Sequence, residues 1–460
     1  MTSWAAWSCR SWCRSRCNIV EEEAMPSKDL VERLLAEVRR MPIVDCHTHL
    51  RWNHPAADDV SDIFGYHYIM AELLSAGMPH EKLLGARTGR ERIRNALPYL
   101  PRISNTATWW GFEEICRRLF GLQGAFGEAT WEEVFATSEQ KCREPGWHQQ
   151  VIEETLNVRR TMLTNNFDED LTGYDRSMFV PALRIDPLVL ACDRPETLAS
   201  VQKATGVEIR SLSDFKKAVG SLYHRFRNDY GARSSAISLP PDFTAFPVHE
   251  GDAARVFDQV LAGRRVTDDE FQRLRSHLFY TYTGFCEDNG MVFQLMLGVD
   301  RLVYLNAAPS GGDAFSTDAS MLRALRDLLN RHPGVTFDLC ILNRAQMHEL
   351  AALGKIFPNC VVSGHWWYTF YPGAIRETLR ERLEMIPVVK LNGLFSDSYY
   401  CEWTVAKVAV YTRALAECLA EKVEQTYFSE DRALWVARRL LYENPVEHFG
   451  LQMDARETGA

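Results

Sequence analysis

The sequence predicts an α/β protein built as a (β/α)8 TIM-type barrel, and three observations carry that expectation. Short apolar runs closed by polar or Gly-rich residues recur eight times, at 42–50, 160–164, 178–184, 234–239, 292–298, 335–342, 360–363 and 388–395. Helical stretches separate them, which is the signature of parallel strands with right-handed crossovers. No Gly-rich dinucleotide loop follows the first run, so the open doubly wound sheet is the weaker alternative.

Length and composition fit one large enzyme-sized domain. The chain has 460 residues, 46% of them apolar and 25% charged, which is ample to bury a large core. A formal net charge of -9 leaves no basic footprint for nucleic acid or an anionic membrane surface. No run approaches the roughly 18 to 20 apolar residues of a membrane-spanning helix. The expected protein is soluble and cytoplasmic, with a small molecule as its partner; a homo-oligomer is compatible with the sequence but not legible in it. Most of the 12 cysteines sit in apolar surroundings, as reduced core cysteines do.

Residues 1–24 read as a disordered or artefactual extension, with Met25 the expected start and 25–460 the barrel domain. Cys9, Cys13 and Cys17 are spaced by four in this leader, but no fourth ligand lies nearby to close a tetrahedral site. A helix over 28–38 follows, with Ser27 available as its cap and Pro42 as its stop. After the first strand, about 58–154 reads as a helical insertion rich in Trp, Phe and Arg, broken at Gly65, Pro79, Pro98 and Pro145.

The chemistry begins in Pro42-Ile43-Val44-Asp45-Cys46-His47-Thr48-His49-Leu50. Residues i and i+2 of a strand project to one face, so His47 and His49 can present their imidazoles to one point. In a barrel the site lies at the C-terminal ends of the strands, and strand eight is the neighbour of strand one. The eighth run ends Leu394-Phe395-Ser396-Asp397, which brings Asp397 beside the histidines; its alternative role is a helix N-cap. Two histidines and a carboxylate around a divalent ion, with open positions left over, make a catalytic rather than a structural site.

Other strand ends supply further candidates. Arg184 can grip a carboxylate through its bidentate fork, or pair with Asp186. Trp366 and Trp367 follow strand seven and can line a sugar-sized pocket, or pack. Arg301, beyond strand five, is a second anion contact. His67 and Tyr68, in the loop after strand one, are placed to reach over the metal.

These residues and their order resemble the uronate isomerase (glucuronate isomerase) branch of the amidohydrolase superfamily, as a divergent member. The resemblance rests on His47-Thr48-His49, Gly65-Tyr66-His67-Tyr68, Arg117-Arg118-Leu119-Phe120-Gly121, Leu183-Arg184-Ile185-Asp186, Ser363-Gly364-His365-Trp366-Trp367, Asp397-Ser398 and Asn444-Pro445-Val446-Glu447-His448-Phe449-Gly450. It implies a barrel of the metal-dependent hydrolase class with one divalent metal on His47, His49 and Asp397, zinc being the expected ion and manganese the alternative. It further implies interconversion of a hexuronate aldose with its ketose. Asp397 with Tyr68 would handle protons, and Arg184 with Trp366 would hold the carboxylate end; by position His67 joins the catalytic candidates and Arg301 and Trp367 the substrate-binding ones. The chain departs from the pattern at Ala236-Ile237 (an Asp-His pair), Met296 (a histidine), Tyr399 (an arginine) and Asn165-Asn166-Phe167 (Asp-Asp-Pro). Those departures keep two other readings in play: a metal-dependent hydrolase or lyase on another carboxylated substrate, and a non-catalytic homologue.

Overall fold

The computed structural model describes residues 26–307, 311–318 and 320–453, so the leader with Cys9, Cys13 and Cys17 lies outside the described residues. Eight strands are laid side by side: β1 (Ile43–Asp45), β2 in two pieces (Val158–Met162 and Asn165–Asn166), β3 in two pieces (Phe179–Val180 and Ala182–Arg184), β4 (Ser234–Leu239), β5 (Val292–Leu297), β6 (Phe337–Ile341), β7 (Cys360–Ser363) and β8 (Leu391–Asn392). Neighbours pair in sequence order and every pair is parallel. The break in β3 falls at Pro181, which has no N–H to give the ladder.

The two ends of the sheet meet through the segments that follow β1 and β8. Cys46 N–H donates to the Leu394 carbonyl at 3.0 Å, Asp397 N–H to the His47 carbonyl at 3.0 Å, and His49 N–H to the Ser398 carbonyl at 2.8 Å. The ladder of β8 is shorter than the eighth apolar run. Residues Val388–Lys390 form a 3-10 turn after Pro387, and Gly393 N–H turns to the Leu440 carbonyl at 2.8 Å. Likewise Ser27 precedes the helix Lys28–Val38 without a side-chain cap bond; its backbone N–H instead meets Glu424 Oε1 at 2.7 Å.

Burial is layered. β4, β5 and β6 are buried along their whole length, so alternate residues face the barrel interior and the helices outside. At the bottom of the interior Val44, Met162, Val180 and Val292 pack with Tyr442, Phe449 and Leu451 of the C-terminal segment. At the top Ala236, Met296, Cys340, Trp366, Trp367 and Phe395 form a second apolar cluster. A buried polar layer, Gln294, Asp338, Ser363 and Asn392, lies between them. At the end of β7, Gly364 takes φ +33°, and a Cβ there would lie 2.1 Å from the Phe395 Cβ. Only glycine allows this approach.

Between β1 and β2 the chain is helical, from Val60–Phe64 to the turn Gln150–Thr155. This region docks on the long helix Cys401–Glu424 through a buried carboxylate, Glu402. Glu402 accepts from the Trp147 indole at 2.8 Å and from Ala57 N–H at 3.2 Å, and burial pushes its carboxyl up. No helix among the described residues is long and apolar enough to cross a membrane. Glu402→Ala strands two buried N–H donors, each costing about 1–3 kcal/mol. We expect a lower urea midpoint with helical circular dichroism retained; an unchanged midpoint refutes the docking role.

Candidate metal centre

His47, His49 and Asp397 come together at the barrel seam, with one donor atom from each lying within 4.8 Å of the other two. His49 Nε2 stands 3.3 Å and His47 Nε2 3.9 Å from Asp397 Oδ1. The seam does the positioning, because the backbone bond from Asp397 N–H to the His47 carbonyl ties ligand to ligand directly. Between the histidines, Thr48 points away and its hydroxyl holds the Met162 carbonyl at 2.9 Å. Asp397 has φ +55°, a left-handed conformation that a non-glycine residue keeps only where its surroundings enforce it.

Neighbours fix each ligand in turn. Gln294 Nε2 donates to Asp338 Oδ2 at 2.8 Å and to the Cys46 carbonyl at 3.1 Å. Its Oε1 must therefore accept from His47 Nδ1–H, at 2.6 Å, which leaves His47 Nε2 free of a proton and aimed at the site. Burial brings His47 down to about 3, with the charge of His49 adding to it, so the ring is neutral. Phe395 stacks on it at 4.4 Å, the ring planes nearly parallel. For Asp397 burial alone would raise the carboxyl, but the hydrogen bond and charge of His49, with His47 and Lys407, outweigh it and hold it at about 2. Asp397 Oδ2 accepts from the Trp366 indole at 3.2 Å. Two imidazoles and an ionised carboxylate, one ring with its free nitrogen pointing inward, are a donor set that fits a divalent cation.

A cavity of about 430 Å3 opens onto His49 and Asp397, with His47 buried behind them, and is walled among others by Arg184, Arg301, Met296, Trp366 and Tyr399. Arg184 pairs with Asp186 at 3.1 Å while still lining the cavity, so both roles read from the sequence coexist. Arg301 is held by Asp313 at 2.6 Å. Trp366 spends its N–H on Asp397 and presents the rest of its ring. His67 and Trp367 form part of the wall, and burial pulls His67 down to about 4. Tyr68 does not line this cavity; it stacks behind, on Trp367 at 5.6 Å, and faces an adjoining one.

Several residues here carried no site assignment in the sequence. Arg194 lines the cavity without an ion-pair partner among the described residues, and Asp193-Arg194-Pro195 offered only its charge as a signal. Gln294 was the one polar residue in an apolar run, which is itself a signal. Tyr399 stacks on His49 at 4.8 Å, in the place where the expected pattern has an arginine.

Known proteins can now be set beside this geometry. The family model for glucuronate isomerase matches residues 17–449. The chain belongs to that family. A uronate isomerase of Thermotoga neapolitana is 22% identical over 448 residues, covering 90% of this chain and 95% of the relative. The crystal structure of uronate isomerase from Thermotoga maritima superposes with a TM-score of 0.85 at 20% identity, over 94% of this chain and 99% of that one. That of glucuronate isomerase from Caulobacter crescentus gives 0.84 at 19% identity, over 95% and 98%. The glucuronate isomerase fold is thus retained at low identity.

Two expectations follow. Gln294→Met removes the acceptor that sets the His47 tautomer, and should weaken metal affinity by about 10–100-fold in competition with a chromogenic chelator; unchanged affinity refutes it. In chelator-treated protein, His47 stays neutral to about 3, whereas the unfolded chain takes up that proton below about 6.5. Its contribution is therefore present above 6.5 and is lost as pH falls. His47→Gln should flatten the loss of folding stability between pH 7 and 5 by about 1–2 kcal/mol, read from urea midpoints.

Proposed function

We propose that this protein is a metal-dependent aldose–ketose isomerase of a hexuronate, of the glucuronate-to-fructuronate type. The observation that carries the reading is the His47–His49–Asp397 triad at the floor of a cavity walled by arginines. His47, His49 and Asp397 would hold one divalent ion, zinc with manganese as the alternative, which when bound supplies Lewis-acid polarisation of the substrate oxygens.

The chain's own groups supply the rest. Arg184, with Arg301 and the unpaired Arg194 on the same wall, takes the sugar carboxylate, and the faces of Trp366 and Trp367 bound the carbon chain. The reaction moves a proton from C2 to C1 through an enediol. Asp397 is the proton carrier: it is ionised, buried, and its Oδ2 is fixed by the Trp366 indole. It removes the C2 proton and the C–H electron pair becomes the C1=C2 double bond, while the proton of the C2 hydroxyl passes to the aldehyde oxygen. C1 then takes up the proton Asp397 carries, and the C2 oxygen is left as the ketone carbonyl. His67, neutral and in the wall, serves the transfer between hydroxyls, with Tyr68 behind it. Met296 has no proton to give, which leaves this work to those residues. Nine described cysteines are all free thiols, in keeping with a cytoplasmic enzyme.

One observation favours a second reading. Ala236 and Met296 replace polar residues of the family pattern with apolar ones, which suits a hydrolase or lyase acting on another carboxylated molecule. Metal-loaded protein incubated with glucuronate or galacturonate in D2O separates the two. Deuterium appearing at C2 with ketose formed supports the isomerase; neither, with the metal fully bound, refutes it. Asp397→Asn should keep the fold and lower turnover at least 1000-fold (about 4 kcal/mol); unchanged turnover refutes the catalytic role.

A further inference from the structure

The helix Cys401–Glu424 begins almost wholly buried, and Lys407 on it is only 5% exposed. Its ammonium sits over three rings, 4.3 Å from the centre of Phe370, 5.2 Å from Tyr68 and 5.8 Å from Tyr66. Among the described residues no oxygen hydrogen-bonds to it and no carboxylate pairs with it within 4.0 Å. Burial draws Lys407 down to about 8, against the charges of Asp397 and Asp45. It is still largely protonated at neutral pH. Contacts with rings return only part of what an ammonium loses on leaving water.

Lys407 lines a cavity of about 510 Å3, whose walls include Trp367, Tyr368 and Phe370, a size suited to a small organic molecule. At its other end, where Asn105 and Thr108 also line it, Thr106 donates to Glu72 at 2.7 Å. The cavity is separate from the one above the metal ligands, and His67 and Trp367 line both. One cation, flat apolar walls and no second positive side chain point to a ligand with one negative charge. A phosphate dianion would lack its second charge partner; the walls are mainly ring faces, and the unpartnered hydroxyls of Tyr66 and Tyr68 lie on the same side as Lys407, where a carboxylate oxygen can accept from them.

We propose that this cavity binds a small organic carboxylate with a flat apolar body, the carboxylate on Lys407 and the body among Tyr68, Trp367 and Phe370. The site is independent of the isomerase reading, because it needs neither the metal nor turnover. A ligand in it would press on the far side of His67 and Trp367, and so on the wall of the metal cavity.

The test is calorimetric titration of the full-length protein with phenylacetate and with phenylacetamide, which differ in charge but not in body. Phenylacetate should bind one to one and at least tenfold tighter than the amide. Lys407→Met should erase that preference, and Arg184→Met should leave it intact. No binding of phenylacetate at millimolar concentration overturns the proposal, as does equal binding of acid and amide. A preference that survives Lys407→Met overturns it too, and one lost in Arg184→Met puts the anion in the metal cavity instead. If Lys407→Met fails to fold, the acid–amide comparison and the Arg184 variant still decide.

Discussion

The hydrogen bond from Asp397 N–H to the His47 carbonyl, 3.0 Å long, is the contact on which the rest of the site depends. It is at once a seam bond of the barrel and a strut between two members of the candidate metal triad. Two residues far apart in sequence are thereby held at a separation set by backbone geometry rather than by flexible side chains. The left-handed backbone at Asp397 is the local strain that goes with this, and the flanking seam bonds of Cys46 and His49 keep it in place. Gly364 serves the same corner from β7, by letting Phe395 close on His47.

The interior beneath the ligands is polar where the surrounding layers are apolar. His47 leans on Gln294, Gln294 on Asp338, and Asp338 accepts from Ser363. Asn392 donates to Ser363 at 3.1 Å, and its own oxygen lies 2.8 Å from His448 Nδ1. In a medium of low dielectric such a chain is stable only when its members are satisfied together. It sets the ring orientation of His47 from below while Asp397 receives the Trp366 indole from above. The three side chains of the triad are thus held in place by the fold itself.

Much of this was legible in the sequence, and for identifiable reasons. The eight strands follow from apolar runs with closed ends, and the helical excursion from its periodicity and its proline breaks. His47, His49 and Asp397 follow from the adjacency of first and last strands, although the two histidines lie past the end of β1 at Asp45 rather than on the strand from which their common face was expected. What stayed hidden depends on long-range packing. Nothing in the order of residues says that Arg194 reaches the cavity wall, or that Tyr68 turns behind Trp367 rather than toward the triad. Lys407 is a lysine on a helix, ordinarily a solvated residue; only the rings of Tyr66, Tyr68 and Phe370 closing over it make it exceptional. Strand eight came out short because Gly393 bonds to Leu440 instead of to a ladder, a competition invisible in the local pattern.

The seam also dictates the order of events during synthesis. His47 and His49 leave the ribosome early, whereas Asp397 emerges near the end and His448, which anchors the polar chain below them, later still. A nascent chain can therefore offer an ion only an unsupported pair of imidazoles. The full His47–His49–Asp397 triad exists only once the segments after the first and last strands have met at the seam.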